Sequence, residues 1–446
     1  MTLDVVVVGG GISGLSTAWG LSKRGLKLRL LEASETAGGT LRTERSEGFL
    51  IECGPNSTLE NNPELGTLID GLGLRQARIE ANLSAKNRYV VRFGKPIPLP
   101  TSPGAFLTTP LFSARAKWRL AAEPFIAKAH TEESIAEFVV RRLGREFLDW
   151  AIDPFISGVY AGDPQRLSVQ AATPKIYALE QRYGSLLRGA AARMILHRHR
   201  TGPAPAGRLI SFDEGMQVLA QGAVRALGQA VDTGKPVTRV SREEDGWRVE
   251  SGNEQLLAHQ LVLAIPAYAA ATLLAPLDPE LAKELSAIYY PPVASVALGF
   301  LRGQIRHPLE GFGCLIPRRE GIETLGAIFS SSLFPGRAPE GHALLTAFIG
   351  GAKNPAVKDA DDAELIHRVV EDLRPLLSIT GAPELARVRK WMRAIPQYEI
   401  GHPRRLSRID ARLAALPGLH LRANWRDGIS VADCVKNGLA LAERIA

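Results

Sequence analysis

VVVVGGGISGLSTAWGLSKRGLKLRLLE, residues 5–32, decides the fold. Val5 to Val8 form an unbroken apolar run, which predicts a strand covered on both faces at the centre of a parallel sheet. The run enters Gly9-x-Gly11-x-x-Gly14, and Leu15, Ala18 and Leu21 then recur at helical spacing. The three glycines act separately. Gly9 allows the tight turn, Gly11 lets a pyrophosphate approach the backbone, and Gly14 lets helix and strand pack closely. The helix N-terminus faces the phosphates. A second strand, LKLRLLE, ends on Glu32, whose carboxylate can take hydrogen bonds from ribose hydroxyls. A lone glycine motif marks only a strand-helix turn. With strand, helix, second strand and acid in register, the segment predicts a dinucleotide site.

The chain has 446 residues, 45% hydrophobic and 22% charged. That length exceeds what one core supports, so two or three domains are expected, with volume to enclose a large ligand. No run of eighteen apolar residues suggests a spanning helix. The sequence enters its first strand without a basic leader or cleavage site, which predicts a cytoplasmic protein. Cys53, Cys314 and Cys434 are scattered and odd in number, so neither a disulfide framework nor a metal site is expected. The net charge of +8 implies an anionic partner, and the absence of a recognised nucleic-acid module argues against DNA or RNA.

Later stretches return to the opening domain. Residues 237–266 alternate strand-like runs with turns at Asp245-Gly246 and Ser251-Gly252-Asn253, and the C-terminal part gives a short strand, a turn at Gly428 and a helix from about Asp433. Between them, the region 100–205 reads as helical and basic and closes on a Pro/Gly-rich boundary, while 285–385 reads as strands followed by a helix. The expected fold is α/β: a discontinuous Rossmann-like nucleotide domain (1–85, 205–267 and 389–446), an inserted mixed-sheet substrate domain (86–99 and 268–388), and an inserted mainly helical domain (100–204).

After Glu32, GGTLRT at 38–43 adds a second glycine turn, which resembles FAD-dependent members of the amine oxidase superfamily. Further blocks narrow the likeness: GPNS from Gly54, NRYVVRFGKPIPLP from Asn87, DPFISGVYAGDPQRLSV from Asp153, GFGCLIP from Gly311, TLGAIFSSSLFPGRAP from Thr324, IPQYEIGH from Ile395 and GISVADC from Gly428. Together, and in order along nearly the whole chain, they resemble the FAD-dependent protoporphyrinogen oxidases. The resemblance implies oxygen-dependent, six-electron oxidation of protoporphyrinogen IX to protoporphyrin IX in haem or chlorophyll biosynthesis, with non-covalent FAD and release of hydrogen peroxide.

It also implies the contacts. For FAD these are Gly9, Gly10, Gly11, Ile12, Ser13, Gly14, Glu32, Ala33, Gly39, Thr40, Arg42, Gly54, Pro55, Asn56, Ser57, Val237, Trp391, Gly428, Ile429, Ser430 and Val431. For the tetrapyrrole they are Phe312, Gly313, Leu315, Ile328 and Phe348, with the Ala161-Gly162 backbone beside the pyrroles. Arg92 is expected to pair with a propionate, and Arg88 stands second to it. The two alternate with Tyr89 and Val91, which predicts a shared strand face. Ala423 departs from the family, where glycine often precedes the asparagine.

The substrate so implied is apolar with carboxylates at one edge, and asks for a hydrophobic pocket with a few placed charges. No side chain stands out as an obligatory acid or base, and His402 reads as structural. That fits chemistry carried by the cofactor. Arg115, Lys117, Arg119 and Lys128, interleaved with Phe112, Trp118, Leu120 and Phe125, read either as an anionic-membrane face or as solvated helix faces. A coproporphyrinogen III oxidase is the nearest alternative. A flavin amine oxidase, a carotenoid desaturase and a non-catalytic flavin protein are more distant ones. Monomer and homodimer both stay open.

Overall fold

A computed structural model of the chain describes residues 2–198 and 207–446. The Pro/Gly-rich stretch read as a boundary falls largely on 199–206, outside the described residues.

The first sheet runs Val231–Asp232, Leu28–Leu31, Leu3–Val8, Glu254–Leu263, Gly246–Ser251, Arg239–Glu243, with Leu419–Leu421 paired to Glu254–Leu263. The valine strand lies parallel between Leu28–Leu31 and Glu254–Leu263, and Val5, Val6 and Val7 are fully buried, as a strand covered on both faces requires. The chain therefore leaves this sheet and returns to it twice. Helix Ile12–Ser22 packs against the C-terminal helix Val431–Ile445 at close range: a Cβ on Gly20 would stand 2.7 Å from the Ala442 Cβ, and one on Gly438 2.3 Å from Ser16 Oγ.

The second sheet runs Leu385–Trp391, Val293–Leu301, His342–Gly350, Thr324–Ile328, Gly313–Leu315, Tyr89–Arg92, Lys95–Pro98. One face is covered by helix Asp362–Leu377, whose Leu365, Val369, Leu373 and Leu377 pack with Val296, Cys314, Ala327 and Leu345. Residues opposite one another across a ladder share a face. The register therefore aligns Arg389, Ser295, Phe348, Gly326, Leu315 and Val90 in one row on the other face.

The region between 103 and 198 is helical, and includes Ala114–Ala121, Ile135–Arg142, Asp153–Tyr160 and Pro174–Tyr183. Phe112 stacks on Phe147 with ring centres 4.3 Å apart in its core. Ser134 and Glu137 form a reciprocal capping box that starts Ile135–Arg142. Arg142 is fully buried at that helix's end between Glu123 and Glu180.

Candidate functional site

The two glycine turns meet. Gly11 bridges to Gly38, and a Cβ on Gly39 would lie 3.1 Å from the Gly11 Cα. Gly9 takes φ +105° at the end of the valine strand, where a side chain would strike the Ala264 carbonyl at 2.6 Å. A Cβ on Gly14 would stand 1.9 Å from the Gly9 oxygen. Gly11 differs from both. Its φ of −71° suits any residue, and nothing lies within 4 Å of where its Cβ would be. No packing or backbone reason inside the chain explains this glycine, whereas a phosphate resting on its backbone would.

The surrounding donors fit such a group. Gly11 caps helix Ile12–Ser22 without a side-chain hydrogen bond, so the first-turn N–H groups around Ile12 and Ser13 face the gap. Glu32 accepts the N–H of Gly10 at 2.7 Å and of Ser34, next to Ala33, at 2.8 Å. A carboxylate offers about four acceptor sites, which leaves capacity for ribose hydroxyls. The Lys235 N–H donates to the Glu32 carbonyl at 2.8 Å, bringing the segment that leads to Val237 past the same spot.

The second turn is fastened to the GPNS segment. Gly54 sits so close to Thr40 that a Cβ would meet its carbonyl at 2.0 Å, and the Cys53 N–H donates to the Arg42 carbonyl at 2.9 Å. Gly54, Pro55, Asn56 and Ser57 are half-buried directly after the buried Ile51, Glu52 and Cys53. Trp391 Nε1 donates to the Cys53 carbonyl at 2.8 Å. On the C-terminal side, Gly428 at φ +127° and Ile429 lead into Ser430, whose hydroxyl accepts the Asp433 N–H at 3.1 Å and starts the last helix at Val431. That start is two residues ahead of the Asp433 expected, because serine is the cap. Ala423 is extended (φ −150°), which alanine adopts without strain, so its departure from the family pattern disturbs nothing locally.

The open face of the second sheet meets this cradle. Phe312, Leu315, Ile328 and Phe348 are half-buried in stretches whose neighbours are buried. Gly313 pairs with Ile328, and Gly326 lies between Leu315 and Phe348. A side chain on Gly313 would strike the Ala327 carbonyl at 2.1 Å, and one on Gly326 the Cys314 carbonyl at 2.6 Å. The face is thus a shallow apolar trough with glycine along its floor. Asn56 and Ile328 line one recess together, so the GPNS segment and the trough adjoin. At the trough's Leu315 edge, helix Asp153–Tyr160 crosses so closely that a Cβ on Gly158 would lie 2.5 Å from Leu315 Cδ2. That helix ends in the turn Tyr160-Ala161-Gly162.

The two arginines differ in what already holds them. Arg92 is 13% exposed at its side chain, donates to Glu146 at 3.1 Å and to the Leu111 carbonyl, and stacks over Trp150 at 4.5 Å. Arg88 is exposed, and its guanidinium lies over the Phe312 ring at 5.3 Å. Sequence order favours Arg92 for a carboxylate. The geometry favours Arg88, because Glu146 already takes the Arg92 charge.

Several groups carry no sequence signal. Arg389 shares the trough row and stacks on Trp391 at 5.0 Å. Glu52 and Arg337, both nearly fully buried and 3.6 Å apart, line the Asn56–Ile328 recess. Burial pushes the Glu52 carboxyl up to about 7, against the opposing pull of the Met216 N–H, the Thr43 hydroxyl and Arg337. His402 is buried and stacks on Tyr398 at 4.5 Å, and burial lowers it to about 4, so it stays neutral.

The description "flavin containing amine oxidoreductase" matches residues 12–446. The chain is 36% identical to the chloroplastic protoporphyrinogen oxidase of Nicotiana tabacum, over 99% of this chain and 85% of that protein. It is 32% identical to the coproporphyrinogen III oxidase of Bacillus subtilis, over 98% and 96%. A crystal structure from Exiguobacterium sp. 255-15, described as a candidate protoporphyrinogen oxidase, superposes with a TM-score of 0.84 at 28% identity, covering 100% and 99% of the two chains.

Proposed function

This chain belongs to the flavin-containing amine oxidoreductase family, and on that premise we propose that it oxidises a porphyrinogen to a porphyrin, protoporphyrinogen IX before coproporphyrinogen III, with non-covalent FAD and molecular oxygen as final acceptor. The observation that carries the reading is the trough. Its floor is glycine, its walls are Phe348, Leu315 and Ile328, and an arginine stands at either end, Arg88 beside Phe312 and Arg389 beside Trp391. An apolar macrocycle with carboxylates at its rim asks for that distribution. When bound, FAD would supply the electron acceptor for a hydride leaving the macrocycle. The chain's own part is to hold the ring, fix its orientation and keep water out. Non-covalent binding is supported by the cysteines: burial pushes Cys53, next to Gly54, up to about 12 and Cys434 up to about 11, so both stay neutral thiols.

The test is anaerobic bleaching of the flavin by each porphyrinogen, followed by admission of oxygen. Protoporphyrinogen should bleach it faster, and bleaching by neither would sink the proposal. Arg88→Ala removes a charge-assisted hydrogen bond worth about 1.5–3 kcal/mol, which corresponds to a Michaelis constant raised roughly ten- to a hundredfold with the flavin spectrum unchanged. Lysine should restore it only partly, since a point charge lacks the guanidinium fork. Arg92→Ala should instead lower thermal stability, because Glu146 loses its cationic partner and keeps only the Ser113 N–H and hydroxyl. The reverse pattern would return the propionate to Arg92.

We also propose that the helical region docks on an anionic membrane. Among the described residues no helix is long and apolar enough to cross one. Leu107, Trp118 and Phe125 are nevertheless 68%, 78% and 84% exposed, a cost in water that burial in a lipid interface would offset. Phe112 faces inward, and Lys117, Arg119 and Lys128 donate to backbone carbonyls, so these are not the probes to use. Trp118→Ala with Phe125→Ala should abolish co-sedimentation with anionic vesicles. Arg115→Glu should weaken it most at low salt. Unchanged sedimentation of the double variant would leave these as ordinary solvated helix faces.

A further inference from the structure

One segment, Trp391 to Tyr398, touches both sides of the site. On the cradle side, Trp391 donates to the Cys53 carbonyl, and the Tyr398 hydroxyl accepts the Gly428 N–H at 2.9 Å while donating to the Asn424 carbonyl. On the trough side, Gln397 is 1% exposed, and its Nε2 donates to the Tyr160 carbonyl at 2.8 Å and the Ile395 carbonyl at 2.9 Å. Two carbonyls can be faced only by N–H groups, so the orientation of the amide is set by its surroundings.

The other end of that amide is unusual. Gln397 Oε1 is buried without a partner, and it occupies the space beside Gly162, where a Cβ would stand 2.5 Å away. A buried acceptor left unpaired costs stability. Leucine would fill a similar volume without that cost. What glutamine does and leucine cannot is hold the Tyr160 carbonyl. The turn it holds is pinned from the opposite side as well: the Ala352 N–H donates to the Ala161 carbonyl at 2.8 Å, and Ala161 is kept at φ +49°, a left-handed value uncommon outside glycine.

We infer that Gln397 is a positioning residue that ties the cradle segment to the Tyr160–Gly162 turn, so that the surface over the trough keeps a fixed height relative to the cofactor. The inference rests on the porphyrinogen reading for the identity of what lies under the turn. The tie itself is independent of it.

The test uses the flavin-loaded protein and its Gln397→Leu, Gly162→Ala and double variants. Gln397→Leu should retain flavin with an unchanged spectrum, and amide hydrogen exchange should quicken about tenfold over 156–163 and 351–354 only, the scale of one lost hydrogen bond. Turnover on the porphyrinogen should fall by a similar factor while the Michaelis constant moves little. Gly162→Ala should loosen the same turn, because its Cβ would stand 2.5 Å from Oε1, and since it also meets Leu167 Cδ1 at 2.8 Å the double variant should be no worse than Gly162→Ala alone. Unchanged exchange in Gln397→Leu overturns the inference. So does loss of flavin in proportion to turnover, which would mark a general structural role. If the parent oxidises neither porphyrinogen, the functional reading fails, and the exchange and flavin measurements still decide whether Gln397 holds the turn.

Discussion

Gly11→Val should give a folded, colourless protein. At φ −71° valine meets no backbone penalty, and no atom beyond the adjoining residues of its own chain segment lies within 4 Å of the new Cβ, so the apoprotein has no reason to lose stability. The branched side chain instead projects into the open space before the N-terminus of helix Ile12–Ser22, where phosphate would rest on the backbone. Overfilling a close contact costs about 1–3 kcal/mol, or roughly ten- to a hundredfold in affinity, and lost N–H contacts to the phosphate add to that. Gly14→Ala, three residues on, should fail in the opposite way. Its Cβ would lie 1.9 Å from the Gly9 carbonyl, so helix and strand must part and the whole sheet is destabilised. Visible absorbance per chain and a melt of each apoprotein separate the two. Flavin retained at parental level in Gly11→Val would remove the cradle from this position. In the parent, acid or heat should release the flavin from the denatured chain, and colour left on the chain would refute non-covalent binding.

The contrast between these glycines marks where the sequence is legible. Val5 to Glu32 can be read because strand, glycine turn, helix and acid follow one another within one strand-helix-strand unit, even though the valine strand's second neighbour, Glu254–Leu263, and the Ala264 carbonyl that Gly9 faces come from far along the chain. Leu315, Ile328 and Phe348 are named in the sequence through family resemblance alone, and Gly326 is not named at all, since these residues become neighbours only once the register of three strands is known. The pairing of Arg92 with Glu146 is hidden for the same reason, because Glu146 is remote in sequence and sits in another region of the fold. Gln397 lies within the IPQYEIGH block, but neither its role nor that of Glu52 can be read there. Their roles rest on the carbonyl of Tyr160 and on the N–H of Met216, and no pattern in the chain announces which backbone group a side chain will meet.

Arg142→Met should cause the largest loss of stability while leaving the cradle intact. Arg142, Glu123 and Glu180 are all fully buried. The guanidinium donates to Glu180 at 2.6 Å, to Glu123 at 3.1 Å and to the Ile126 carbonyl at 3.0 Å. Removing one member of a buried charged group costs about 3–5 kcal/mol, because the partner charges are left without compensation. Here two carboxylates remain. Arg141 still reaches Glu180, and Glu123 keeps the Ser185 hydroxyl and the N–H groups of Leu186 and Leu187. Adding Glu123→Gln and Glu180→Gln should therefore recover part of the loss, since amides strand no charge, while the amide nitrogen at position 123 cannot accept the Leu186 or Leu187 N–H. The pH dependence follows from Glu123. Burial raises its carboxyl, but Ser185, the two backbone N–H groups and Arg142 together hold it below the ordinary value. A carboxyl depressed in the folded state contributes stability above its unfolded value, and that contribution is lost as pH falls through the folded one. Without Arg142 the folded value rises, the loss begins at higher pH, and the gap between parent and variant narrows in acid once Glu123 is protonated in both. On heating at neutral pH, Arg142→Met should lose porphyrinogen turnover before it loses flavin colour, because the turn at Ala161-Gly162 belongs to the weakened helical layer and the flavin cradle to the first sheet. Simultaneous loss of both would mean that the layers unfold as one unit, and an unchanged melting temperature would refute the assigned cost of the buried group.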